Sequence, residues 1–125
     1  MKLNRDLLPE DKYWVRAYDR DTVSVGQRVL RTSLVLTPER LIEDWPLRDF
    51  ADLAEPHLRV ILALTPEIVV LGSGTVLKWP PAATLQPLTE ARIGVEVMDT
   101  GAACRAYNIL MSEGRRVAAG LVLPG

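Results

Sequence analysis

The run Ile93-Gly94-Val95-Glu96-Val97-Met98-Asp99-Thr100-Gly101-Ala102-Ala103-Cys104-Arg105-Ala106-Tyr107-Asn108 changes its period partway along. Its first six residues mix branched and apolar side chains as a short strand does. From about Ala102 to Glu113, Cys104, Tyr107, Leu110 and Met111 recur at helical spacing and gather on one face. Arg105, Asn108 and Ser112 fall on the other face, and Gly114 ends the segment. Arg116–Leu123 is apolar again and reads as the last strand. Strand, helix and strand in succession predict a β-α-β unit and an α/β class.

Upstream, Ile68-Val69-Val70-Leu71 is apolar at every position, which is how a strand reads when helices cover both faces of its sheet. It ends in Gly72-Ser73-Gly74. Pro80-Pro81 begins a predicted helix to about Arg92, with a kink or late start at Pro87, where a hydrogen bond is lost. Pro56 suits the first turn of another helix, followed by Leu58, Ile61 and Leu62 at helical spacing. Before that the chain reads as antiparallel strands: Tyr13–Tyr18, Thr22–Val25, Arg28–Leu36 and Leu41–Trp45. Gly26-Gln27 supplies a tight hairpin turn. The expectation is a single α/β domain: a mixed β-sheet with packed helices and an N-terminal antiparallel β element. Residues 1–12 read as an N-terminal arm.

Composition narrows the function. At 125 residues, 48% of them hydrophobic, the chain can fill a core without a metal or disulfide staple. Fifteen basic against sixteen acidic residues leave a net charge of −1, with no electrostatic case for nucleic acid or an anionic membrane. One cysteine excludes an internal disulfide, and one cysteine with one histidine falls short of an ordinary zinc site. Val60–Leu64 and Ile68–Leu71, the longest apolar stretches, are far below the ~20 residues that span a bilayer. Met1–Asp6 holds no apolar signal core, so the reading is a cytoplasmic protein, or one already processed.

Two consecutive core strands end in glycine turns, Gly72-Ser73-Gly74 and Asp99-Thr100-Gly101. Ligands of open α/β sheets collect at such strand ends. The second turn runs into a helix whose first amides could hold an anion, with Lys78 or Arg105 adding charge. Against this, Asp99 or Thr100 is a good N-cap and would occupy those amides itself. Gly-Ser-Gly is also no phosphate loop, lacking the lysine-serine half. Cys104 lies early in a helix beside Arg105, which favours a thiolate, but its shared face with Tyr107 and Met111 marks it as packed and inert. His57 has no partner at a diagnostic offset. Glu96, Asp99 and Glu113 are too few for a metal even if they converge. Trp14, Trp45 and Trp79 stand near segment ends, where tryptophan seals a core edge or anchors an interface. Arg105, Arg115 and Arg116 suggest a basic patch beside Glu113. No catalytic residue, cofactor or metal is assigned.

The string Gly94–Asn108, with Glu113-Gly114-Arg115-Arg116-Val117-Ala118-Ala119 behind it, resembles the Mth-type domain-of-unknown-function family. Leu34-Val35-Leu36, Trp45 and Ile68–Gly74 match upstream, so the resemblance covers roughly residues 22–122. Ser73 stands where threonine is more often expected, which keeps a hydroxyl there. The family is similar to the third mitochondrial complex I assembly factor and to adipogenesis-associated Mth-domain proteins. The resemblance implies a compact α/β domain with a mixed sheet and an N-terminal β element. It implies no reaction; for the mitochondrial relative it implies help in assembling a respiratory complex through protein contacts.

Two expectations follow. The first is a non-enzymatic protein-binding or assembly factor with a protein partner, using Arg105 and its neighbours. The second is a small-molecule or anion site at residues 72–74 and 99–103. The candidate residues for either are Gly72, Ser73, Gly74, Lys78, Asp99, Thr100, Gly101, Arg105 and Asn108. A homodimer, through a self-complementary edge strand or a tryptophan patch, stays open.

Overall fold

A five-stranded mixed sheet runs through the middle of the molecule, its strands side by side in the order Leu41–Ile42, Leu34–Leu36, Val117–Leu121, Ile68–Gly72 and Gly94–Met98. The structure, a computed structural model, describes residues 11–124. Of the N-terminal arm expected over residues 1–12, residues 1–10 lie outside the described residues. A three-stranded antiparallel sheet comes first: β1 (Val15–Tyr18), β2 (Val23–Val25) and β3 (Arg28–Leu30). Gly26 takes φ 58° between β2 and β3, as its hairpin turn requires. β4 (Leu34–Leu36) and β5 (Leu41–Ile42) then open the larger sheet. α1 (Glu55–Leu62), β6 (Ile68–Gly72), α2 (Gln86–Glu90), β7 (Gly94–Met98), α3 (Thr100–Ser112) and β8 (Val117–Leu121) complete it.

β6 pairs in parallel with both β7 and β8, while β8 pairs antiparallel with β4. β8 therefore joins the antiparallel half of the sheet to the β-α-β half. It is buried at all five positions, and β6 at four of five. One face of this sheet, with Leu34, Leu36, Val70 and Ala119, packs under α3 and the three-stranded sheet. The other face, with Val35, Val69, Leu71 and Ala118, meets Leu58 and Ile61 of α1 and the rings of Trp45 and Phe50. Each large apolar side chain buried this way contributes about 1.5–3 kcal/mol. Gly120 is needed for that contact. A methyl there would lie 2.8 Å from the Trp45 ring.

Two expected strands are corrected, and one expected helix takes the later of its two forms. The strand predicted over Arg28–Leu36 is two strands in different sheets. Ser33 fixes the joint: its hydroxyl donates to the Leu47 carbonyl at 2.5 Å and accepts from the Leu123 amide at 3.0 Å. The strand predicted over Leu41–Trp45 stops at Ile42, because Asp44 takes φ 57° and Trp45 turns into the core. The helix predicted from Pro80 to Arg92 takes the late start expected at Pro87: a 3-10 turn, Ala82–Leu85, precedes α2, whose first turn holds Pro87. Proline costs least there, since that amide has no helical partner.

Candidate functional site

The two glycine turns are laced together at the carboxyl ends of β6 and β7. The Ser73 amide donates to the Met98 carbonyl at 2.8 Å, and the Thr100 amide to the Gly74 carbonyl at 2.8 Å. The buried Thr100 hydroxyl accepts from the Gly74 amide at 2.9 Å and donates to the Val122 carbonyl at 2.8 Å. That draws in the end of β8 as well. Gly72 permits the close approach: a methyl there would lie 2.8 Å from the Thr100 Cα, a backbone atom that cannot swing aside.

The first amides of α3 are largely committed. Asp99 caps the helix by accepting from the Ala102 amide at 2.9 Å, the competing role noted from sequence. The ring of Tyr18 lies over Gly101, so close that a methyl there would meet it at 2.8 Å. Arg105 is exposed, donates to the Tyr18 hydroxyl, and holds its guanidinium 5.8 Å from the centroid of that ring. It therefore steadies β1 against α3. The basic patch with Arg115 and Arg116 does not form, because those residues lie beyond the far end of α3. Arg115 there pairs with Glu67 at 3.1 Å.

Asn108 is also corrected. The spacing puts it on the face of α3 opposite the apolar stripe, but it is buried. Its carboxamide accepts from the Val15 amide at 2.9 Å and donates to the Val15 carbonyl at 2.8 Å. β1 carries an irregularity between Val15 and Ala17, and Asn108 supplies partners to its backbone there. That role is structural.

Ser73 and Lys78 belong to a different feature. The Ser73 hydroxyl donates to the Val76 carbonyl at 2.8 Å and accepts from the Lys78 amide at 3.0 Å. It thereby pins a loop that projects Val76, Leu77 and Trp79 into solvent at 64%, 44% and 72% exposure. Trp14 and Trp45 seal the core, whereas Trp79 does not. The Lys78 ammonium stands 3.6 Å from Asp49, whose carboxyl is held low first by the Ala51 amide and then by Lys78. A cavity of about 340 Å³ lies between Trp79, Pro80 and the Phe50 turn. Another, of about 320 Å³, is lined by Arg20, Arg48, Ser73, Gly74 and Lys78. The sequence reading missed the exposed apolar trio. Its one signal was that Val76–Trp79 fits neither a helical nor a strand period before Pro80-Pro81.

A larger cavity, of about 560 Å³, is elsewhere. It lies beside the C-terminal end of α3 and is lined by Arg40, Leu64, Met111, Arg115 and Arg116, among others. The remaining reactive side chains are built into the fold. Burial pushes the Cys104 thiol up to about 12, and Arg105 only partly opposes it. His57 accepts from the Ala54 amide at 3.0 Å through Nδ1 and bonds the Pro46 carbonyl at 2.9 Å through Nε2, so it latches the start of α1. Glu113 is the C-cap of α3 and Asp99 the N-cap, so Glu96, Asp99 and Glu113 do not converge. Among the described residues no group of three or more His, Cys, Asp or Glu could hold a metal ion, and no helix is long and apolar enough to cross a membrane.

The family model described as "Protein of unknown function (DUF498/DUF598)" matches residues 15–122. The NADH dehydrogenase [ubiquinone] 1 alpha subcomplex assembly factor 3 of Danio rerio is 36% identical over 101 residues, covering 79% of this chain and 57% of that protein. The 13 kDa major membrane protein of Francisella tularensis is 32% identical over 85 residues, covering 67% of this chain and 69% of its own. A solution structure of a Bordetella pertussis protein, described as a Mth938-like domain, is 30% identical with a TM-score of 0.82. It covers 100% of this chain and 94% of that one. The chain thus spans little more than half of the fish assembly factor.

Proposed function

Because the chain belongs to the DUF498/DUF598 family of Mth-type domains, we propose that it is a non-enzymatic, protein-binding assembly factor whose contact surface is the Val76–Trp79 loop. The observation that carries this reading is the apolar trio held in place by the Ser73 hydroxyl. An exposed tryptophan on a pre-ordered loop loses little conformational freedom on binding, and tryptophan is a favoured interface anchor. Relatives named as assembly factors support the same reading.

The test is a cross-linked pull-down from native lysate, comparing the parent with folded Trp79→Ala and Leu77→Ala variants. Truncating an anchor of this kind costs at least about 2 kcal/mol, roughly a 30-fold loss of partner. The same partners at the same yield in both variants would refute the loop. Arg105→Ala serves as a separate arm, since it loosens Tyr18 rather than the loop. The reading keeps the chain in the cytoplasm, and recovery in the membrane fraction after cell lysis would overturn that part.

A second reading rests on the cavity where Arg20, Arg48 and Lys78 meet Ser73 and Gly74. Three cations against one carboxylate, that of Asp49, which already stands 3.6 Å from Lys78, leave the hollow net positive, which suits a phosphate- or carboxylate-bearing small molecule. It predicts a thermal shift with such a compound that Arg48→Ala removes. A metabolite screen without any shift would end it.

A further inference from the structure

β7 is the one long, regular open edge among the described residues. The other edge strands are blunted in ways that discourage pairing: β5 has two residues, β3 has three, and β1 is interrupted by its irregularity. β7 has five residues in unbroken register with β6 and contains no proline.

Its backbone polarity is readable from the ladder. The Gly94 amide donates to the Glu67 carbonyl at 3.1 Å, and the Met98 carbonyl accepts from the Ser73 amide at 2.8 Å. Gly94, Glu96 and Met98 therefore turn their amides and carbonyls toward β6. Val95 and Val97 turn theirs outward, where among the described residues no other strand pairs with β7. The Ile93 amide is held by the Leu88 carbonyl at 3.1 Å, which leaves its own carbonyl outside.

The geometry points to a two-fold homodimer in which β7 pairs antiparallel with the β7 of a second copy, centred on Val95, to make a continuous ten-stranded sheet. Charge selects both occupant and register. Centring on Glu96 would set that carboxylate against its own copy, and centring on Val97 would set Val95 against the partner's Asp99. Centring on Val95 places Glu96 opposite the partner's Gly94, which has no side chain to crowd it, and two residues along the chain from the partner's Arg92, in the turn of φ 60° that leads into β7. Neither Glu96 nor Arg92 has an ion-pair partner among the described residues. The two-fold axis repeats that charge pairing. Val95 exchanges both backbone bonds with the partner's Val95, Val97 donates to the carbonyl of the partner's Ile93, and the committed Ile93 amide ends the ladder.

Sedimentation equilibrium of the full chain across a concentration series tests this independently of the loop proposed above. The parent should show a concentration-dependent dimer. Glu96→Arg and Arg92→Glu, both at exposed positions, should each weaken it by about 5–30-fold, because each removes a pairing that occurs twice. The double exchange should restore it. Val95→Pro should abolish the dimer while keeping the β6 ladder, since the lost amide points outward; far-UV circular dichroism checks that it folds. A monomer at every concentration overturns the proposal, as does a dimer indifferent to all the charge variants.

Discussion

A carboxamide can donate to a carbonyl and accept from an amide within one plane, and Asn108 does both on Val15. It gives β1 the bonds a neighbouring strand would give, from a helix. Asn108→Leu leaves both Val15 groups buried and unpaired, so urea denaturation should show a loss of about 2–4 kcal/mol. An unchanged midpoint would mean that β1 finds other partners. The helical period puts Asn108 on the face opposite the apolar stripe, with Arg105 and Ser112. Nothing local announces that a distant strand needs bonds, so this burial was not legible. Gly72 was legible as a glycine at a strand end, but not the cause, which is the Thr100 backbone, far away in sequence. Gly72→Ala should cost about 1–3 kcal/mol by forcing α3 off the sheet. A melting temperature equal to the parent's would show that the helix end yields freely.

At the scale of elements, β6 and α3 were readable because each buries a pattern its neighbours in sequence already display. β6 is apolar throughout and covered on both faces; α3 carries one apolar stripe and a capping Asp99. The break between β3 and β4 was not readable, since no residue in Arg28–Leu36 forbids a strand. It comes from Ser33 binding both Leu47 and Leu123, far away in sequence. The candidate site was half legible for the same reason. Glycine turns mark strand ends, yet the groups that consume the α3 amides, the Asp99 carboxylate and the Gly74 carbonyl, lie in the turns themselves, while Tyr18 of β1 covers Gly101. The loop 75–79 depends on a single hydroxyl. Ser73→Ala removes its bonds to Val76 and Lys78, which should accelerate hydrogen exchange at the Lys78 amide by about fivefold for ~1 kcal/mol lost. Unaltered exchange there would show that the loop's order comes from packing instead, and would weaken the case for a pre-ordered binding surface.

For the whole molecule, the alkaline limb of stability follows from two groups in one core. Burial pushes the Cys104 thiol from 9.0 to about 12, and burial likewise raises the Tyr107 hydroxyl, with a smaller push from Glu39. Both groups keep their protons longer in the folded chain than in the unfolded one. The thiol's contribution is therefore complete below its ordinary value of 9.0 and is lost as pH rises toward about 12, while that of Tyr107 begins to fall only above 10.0. The slope is about 1.4 kcal/mol per pH unit for each proton by which the two states differ. Background titration is light, because only Lys2, Lys12 and Lys78 among the fifteen basic residues are lysines. Arginines keep their charge throughout this range. Urea denaturation at successive pH values from neutral to about 11 should thus show a flat region and then a steep fall. Cys104→Ala lowers the flat region by leaving a small cavity, but it removes the earliest part of the fall, so the slope and not the height is the readout. A parent and variant with parallel curves above pH 9.0 would show that the thiol ionises inside the folded chain. The packed face shared by α3, β1 and the sheet would then be open to water in a way the buried Cys104 and Tyr107 contradict.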